Sequence, residues 1–156
     1  MMLGFLKRLL ARVVIFILAC TSSSYAQDIS IIVNERSEIS SLNAEQVKRI
    51  FLCKQQLTEQ GDRWIPINLS ADNLVRKSVT EQFLQFTSFE LERYWDAQYF
   101  NGVSPPYVLA SEEAVLRFVS KTPNAIGYIL SCHVSAGVKT VYTFNDNKLR
   151  NVHEIT

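Results

Sequence analysis

Short β-branched runs alternate with capped helical segments, and this alternation restricts the fold more than any other feature of the chain. Ile29 to Val33 reads as a buried strand and Trp64 to Leu69 as a second. Between them, Asn43 followed by Gln46 marks a helix start, with Leu42 and Val47 at the staple positions and Val47, Ile50 and Phe51 on one face. Leu74, Val75, Val79, Phe83 and Phe86 recur at helical spacing. Thr87 with Glu90 forms a capping-box pattern opening a helix with Leu91, Tyr94, Trp95 and Tyr99 on one face. Asn101-Gly102 ends that helix, and Pro105-Pro106 prevents its resumption. Ser111 caps a last helix presenting Val115, Phe118 and Val119, after which Ala125–Leu130 and Val138–Phe144 read as strands. The order β-α-β-α-α-α-β-β predicts an α/β fold: a mainly parallel sheet with helices on both faces.

Residues before this pattern have a different character. Lys7, Arg8 and Arg12 precede an apolar run from Val13 to Cys20, and no acidic residue occurs before Asp28. Ser24-Tyr25-Ala26 then offers small residues at the positions a signal peptidase reads. The run of about 8 apolar residues is far short of the ~20 that span a bilayer. Residues 1–26 therefore read as a removable secretion signal and 27–156 as one periplasmic domain. Ile17-Leu18-Ala19-Cys20 also resembles a lipoprotein box, which would instead anchor the chain at Cys20.

Composition removes several classes of function. The first 26 residues hold three of the 16 basic side chains and none of the 15 acidic ones, so the remainder is slightly acidic. That balance argues against nucleic acid, whose binders carry basic patches. The remaining ~130 residues suffice for one domain with a real core. Cys53 and Cys132 are the cysteines left after the signal. In an oxidising compartment they read as one disulfide, the alternative being two buried thiols acting as small hydrophobes. His133 and His153 are far apart and lack metal-ligand spacing. No nucleophile elbow, phosphate loop or paired catalytic carboxylates can be named, so neither enzyme activity nor a cofactor is expected. Trp64 and Tyr107 sit beside polar or proline-rich loops, where an exposed aromatic would mark a partner surface.

Several of these residues together carry a resemblance. Leu42 to Leu52, Trp64 to Asn68, Tyr94-Trp95, Phe100-Asn101-Gly102 and Pro123-Asn124-Ala125-Ile126-Gly127-Tyr128-Ile129 resemble the phosphate-type periplasmic substrate-binding family, over about Ile29 to Leu130. Full-length members have two α/β lobes that close over phosphate. The resemblance implies one three-layer lobe of the periplasmic binding protein type 2 fold, like the short, single-lobe relatives of phosphate ABC transporter binding proteins. It implies phosphate or another small anion as ligand, and an inner-membrane ABC transporter as partner. In that family the anion is held by a loop following a strand, at a helix N-terminus. The matching stretch here is Asn68 to Leu74, giving Ser70, Asp72, Asn73 and Arg76 as candidate ligand-binding residues. This stretch departs from the family pattern: its glycine and threonine are missing, and Asp72 brings a carboxylate. Ser70, Asp72 and Asn73 can equally be a capping cluster, and Arg76 with Lys77 a solvated helix face. The competing expectation is a single-lobe module that has lost its ligand and binds another envelope protein or its own copy.

Overall fold

The computed structural model describes residues 28–146. The signal, Cys20 and His153 lie outside the described residues. Five strands form one sheet in the order β3-β2-β4-β1-β5: β1 (Asp28–Asn34), β2 (Ile65–Leu69), β3 (Tyr107–Leu109), β4 (Ala125–Leu130) and β5 (Val138–Asn145). β2 pairs in parallel with β3 and β4, while β1 pairs antiparallel with both β4 and β5. Four strands thus run one way and β1 alone opposes them. The sheet is the mainly parallel one that the strand–helix alternation predicts.

The helices form where the capping residues start them. α1 (Ala44–Phe51) begins at Asn43, whose side chain accepts from the Gln46 amide while Gln46 returns a bond to the Asn43 amide. α2 (Leu74–Ser78) starts at Asn73, and α3 (Ser88–Phe100) at the Thr87–Glu90 capping box. α4 (Glu112–Lys121) starts at Ser111. These bonds satisfy amide groups that the first helical turn leaves without partners.

Two elements differ from the sequence expectation. The helix expected to run to Phe86 stops at Ser78 and continues as a π-helical turn, Val79–Phe83, followed by Gln85 at φ +64°. Beneath that turn, the fully buried Asp146 carboxylate accepts from the Ser78 hydroxyl and the Gln82 side-chain amide. A side chain from β5's end thereby holds the wider helical turn, a cause remote in sequence. The other difference is β3, three residues directly after Pro105-Pro106. It occupies the sheet edge, where a preceding proline costs no ladder bond.

Helices cover both faces, and β4 shows how. Gly127 turns towards α4. A Cβ placed there would stand 2.6 Å from Val115 Cγ1 and 3.3 Å from Val119 Cγ2. Tyr128 turns the other way and packs on Phe51 of α1, ring centroids 5.6 Å apart. The π-helical turn lies on that second face too, with Phe83 stacked on Phe144 at 4.8 Å. Between the layers, Ile29, Ile31, Ile32, Val47, Ile67, Val115, Val119, Ile126 and Ile129 are fully buried.

Replacing Gly127 by alanine should therefore overpack the α4 interface and cost about 1–3 kcal/mol. Urea unfolding of the variant measures this, and trimming Val115 to alanine in the same chain should recover part of the loss. An unchanged midpoint for Gly127→Ala would contradict the close approach.

Candidate functional site

β2 and β4 part company towards their C-terminal ends. Their ladder covers Ile65 with Ala125 and Pro66 with Ile126. Beyond it, a side chain from β4 bridges the two strands. The Tyr128 hydroxyl accepts from the Leu69 amide at 3.2 Å and donates to Asn68 Oδ1 at 3.1 Å. After β2 the chain turns into α2 on its way to the β3 edge, whereas after β4 it heads for β5 on the far side of β1. Neighbouring strands whose following connections diverge leave a crevice at their carboxyl ends, the usual ligand position in open α/β sheets.

Ser70, Asp72, Asn73 and Arg76 follow directly from this end of β2. The Ser70 carbonyl accepts from the Asn73 amide at 3.0 Å, which closes a turn. Asn73 Oδ1 accepts from the Val75 and Arg76 amides at 2.8 and 3.3 Å. The Asn73 side chain is thus engaged as a helix cap. Asp72 is exposed and Ser70 half-buried. Arg76 is different. Its guanidinium hydrogen-bonds the Tyr128 hydroxyl, while its Nη1 is buried with no hydrogen-bond partner among the described residues. Lys77, its neighbour, is exposed on the helix face.

Burial pushes the Tyr128 phenol above its ordinary pKa, opposed by the Arg76 charge and by hydrogen bonds from the Leu69 N–H and the Arg76 guanidinium. The hydroxyl therefore stays protonated at neutral pH and remains a donor to Asn68. Tyr128 and Asn68 belong to the site although the candidate residues named from the sequence did not include them. Tyr128 stood in the Ile-Gly-Tyr strand, but nothing in a strand pattern tells where a tyrosine hydroxyl ends.

The cysteine pair is a correction. Cys53 and Cys132 are both free thiols. Cys53 follows α1, with its Sγ donating to the Ser104 carbonyl just before β3. It lines a cavity of about 550 Å³ with Trp64, Ile65, Pro106 and Tyr107, at the N-terminal ends of β2 and β3. Cys132 sits in the 3-10 turn Ser131–His133, at the opposite, C-terminal end of β4. A strand's length separates them, whereas a disulfide needs Cα atoms within about 7 Å. Burial pushes the Cys53 thiol up, with Arg63 opposing, so it is less of a nucleophile than an ordinary cysteine.

Other residues singled out from sequence also find their places. Trp64 is 5% exposed, whereas Tyr107 is 70% exposed on the edge strand. His133 Nδ1 lies 2.9 Å from the Glu112 carboxylate, which also accepts from the Leu130 amide at 2.7 Å. A larger cavity of about 610 Å³ is lined by Asn34, Arg36, Glu38, Asp62, Lys121 and Asn124, among others. It lies at the N-terminal end of β4, away from the crevice. Neither cavity includes Ser70, Asp72, Asn73 or Arg76.

The sheet order and the helical layers match the fold of one periplasmic-binding-protein lobe. Among solved structures it is similar to an ABC-type phosphate transport receptor from Vibrio cholerae. That match has a TM-score of 0.60 and 20% identity, and covers 74% of this chain and 45% of that one. A candidate phosphate ABC transporter substrate-binding protein from Clostridium perfringens, with bound phosphate, matches at TM-score 0.61 and 18% identity over 74% and 44%. PstS from Borrelia burgdorferi matches at TM-score 0.52 and 20% identity over 66% and 40%. The chain spans less than half the length of each of these proteins, and at such identities the likeness is one of fold. No protein-family model matches the sequence, and no curated protein does.

Replacing Tyr128 by phenylalanine should leave the Leu69 N–H and the Asn68 side-chain Oδ1 without the hydroxyl. The expected loss is about 1–3 kcal/mol, measured by denaturant unfolding. Wild-type stability in the variant would mean that the hydroxyl bridge is dispensable.

Proposed function

We propose that this chain is an exported, non-catalytic solute-binding-like lobe that takes phosphate or another small anion in the crevice between β2 and β4. One observation carries the reading: the buried Arg76 Nη1, which has no hydrogen-bond partner among the described residues. A guanidinium donor left unpaired away from water costs more than its exposure would save, unless an outside acceptor completes it. Oxyanions suit that donor, since a guanidinium binds their oxygens with charge-assisted bonds. The Tyr128 hydroxyl holds the strand ends apart beside it. Ser70, half-buried at the rim, would add a hydroxyl, while the exposed Asp72 would disfavour a dianion. The fold likeness to phosphate transport receptors supports the same ligand class and a delivery partner of the ABC-transporter kind in the inner membrane.

A second reading has one observation of its own. The Ser70–Asn73 loop lines neither of the two large cavities, whereas a small-molecule site normally encloses most of its ligand. An open half-cleft favours an envelope interaction module in which a partner supplies the other wall.

Calorimetry with inorganic phosphate separates the two. The anion reading expects weak, saturable binding that falls at least tenfold in Arg76→Gln, equivalent to about 1.4 kcal/mol. If no heat appears up to about 10 mM phosphate, where a millimolar site would be mostly filled, the interaction reading replaces it.

A further inference from the structure

α3 packs on the rest of the protein by one side only. Leu91 is its only buried residue. Tyr94 and Trp95 lie half-buried beside it, and the Tyr94 hydroxyl donates to the Leu52 carbonyl at 2.6 Å. At 3.6 residues per turn, Phe89, Arg93, Asp96 and Phe100 fall in one stripe on the opposite side of the helix. All four are exposed, Phe89 by 66% and Phe100 by 88%. Their spacing of four, three and four residues is that of a coiled-coil seam. Two outward phenylalanines thus bracket an opposite-charge pair in one exposed stripe.

The order of the four residues identifies what covers it. Phe89 and Phe100 flank Arg93 and Asp96 symmetrically about the middle of the helix. Set two copies of α3 antiparallel about a two-fold axis at that midpoint. Phe89 of one then meets Phe100 of the other, and Arg93 meets Asp96, twice over. A two-fold interface requires such self-complementarity, the same patch serving both sides. Within one chain the Arg93 guanidinium already lies over the Phe89 ring, 5.9 Å from its centroid. That contact keeps the charge inside the stripe, where the partner's carboxylate would find it.

We infer that this face of α3 binds a second copy of the same chain, as an antiparallel helix pair joined by two Arg93–Asp96 bridges between two Phe89–Phe100 contacts. The interface is separate from the β2–β4 crevice and does not depend on what the crevice binds. One helix pair falls below the ~1,600 Å² of a standard interface, so the dimer is weak and concentration-dependent.

Sedimentation velocity on the purified protein tests this through charge. The wild type should show a dimer fraction that rises between about 1 and 200 µM, as a micromolar constant requires. Arg93→Glu sets like charges opposite each other at both bridges and should weaken the dimer at least tenfold; Asp96→Arg should do the same. Mixing these two variants restores both bridges in a heterodimer, and an equimolar mixture should associate where each alone does not. The doubly exchanged chain should dimerise again. Thermal melts of the monomers should match the wild type, since all the changed positions are exposed. A monomeric wild type throughout that range would overturn the inference and leave the stripe to a different protein. So would a dimer indifferent to Arg93→Glu, or a mixture that fails to associate.

Discussion

The hydroxyl of Tyr128 joins the parts of this fold that its backbone ladder leaves apart. β2 and β4 pair by backbone only at Ile65–Pro66 and Ala125–Ile126. Past that point the Tyr128 hydroxyl takes the Leu69 N–H and donates to Asn68. The bond is made inside a protein layer, where an unmade partner costs its full desolvation. Its ring is fixed against Phe51, so α1 determines where the hydroxyl stands. Arg76 comes to the same point from α2. β4 and the consecutive elements β2 and α2, about 60 residues earlier in the chain, therefore meet at one phenolic oxygen.

The residue before it performs the complementary task. Gly127 presents no side chain to α4, which lets Val115 and Val119 approach the sheet closely. Adjacent positions on one strand thus set the helix spacing on the two faces: Gly127 admits α4, and Tyr128 receives α1. β1 runs against its neighbours, yet Ile29, Ile31, Ile32 and Val33 are all buried. Hydrogen-bonded on both sides and covered on both faces, it needs no alternation of polar and apolar residues.

Features governed by neighbouring residues were legible in the sequence. Asn43, Asn73, Thr87 and Ser111 start their helices with the side-chain bonds that their types predict. β4 occupies the Ala125–Leu130 segment, and the α/β class followed from the alternation. Features governed by distant contacts were not. The π-helical turn is held by Asp146, the residue after β5. β3 is too short to show a period and begins after two prolines. The cysteine pairing was read from redox compartment and even number, neither of which carries geometry; the sheet sets the two thiols at opposite ends. Tyr99 has helical spacing with Leu91 and Trp95 but stays 73% exposed. In the candidate ligand loop, sequence identified Arg76 but could not distinguish a solvated guanidinium from one whose Nη1 is buried without a partner among the described residues.

Arg76, beside the Tyr128 hydroxyl, is the side chain through which β2 and β4 would hold an anion at their carboxyl ends. A titration of the isotope-labelled protein with phosphate, followed by NMR, observes that side chain directly. The Arg76 guanidinium resonance should shift and saturate with phosphate, and the Leu69 amide beside Tyr128 should follow the same curve. If those signals stay fixed while residues around the 610 Å³ cavity at the other end of β4 respond, the crevice is not the anion site.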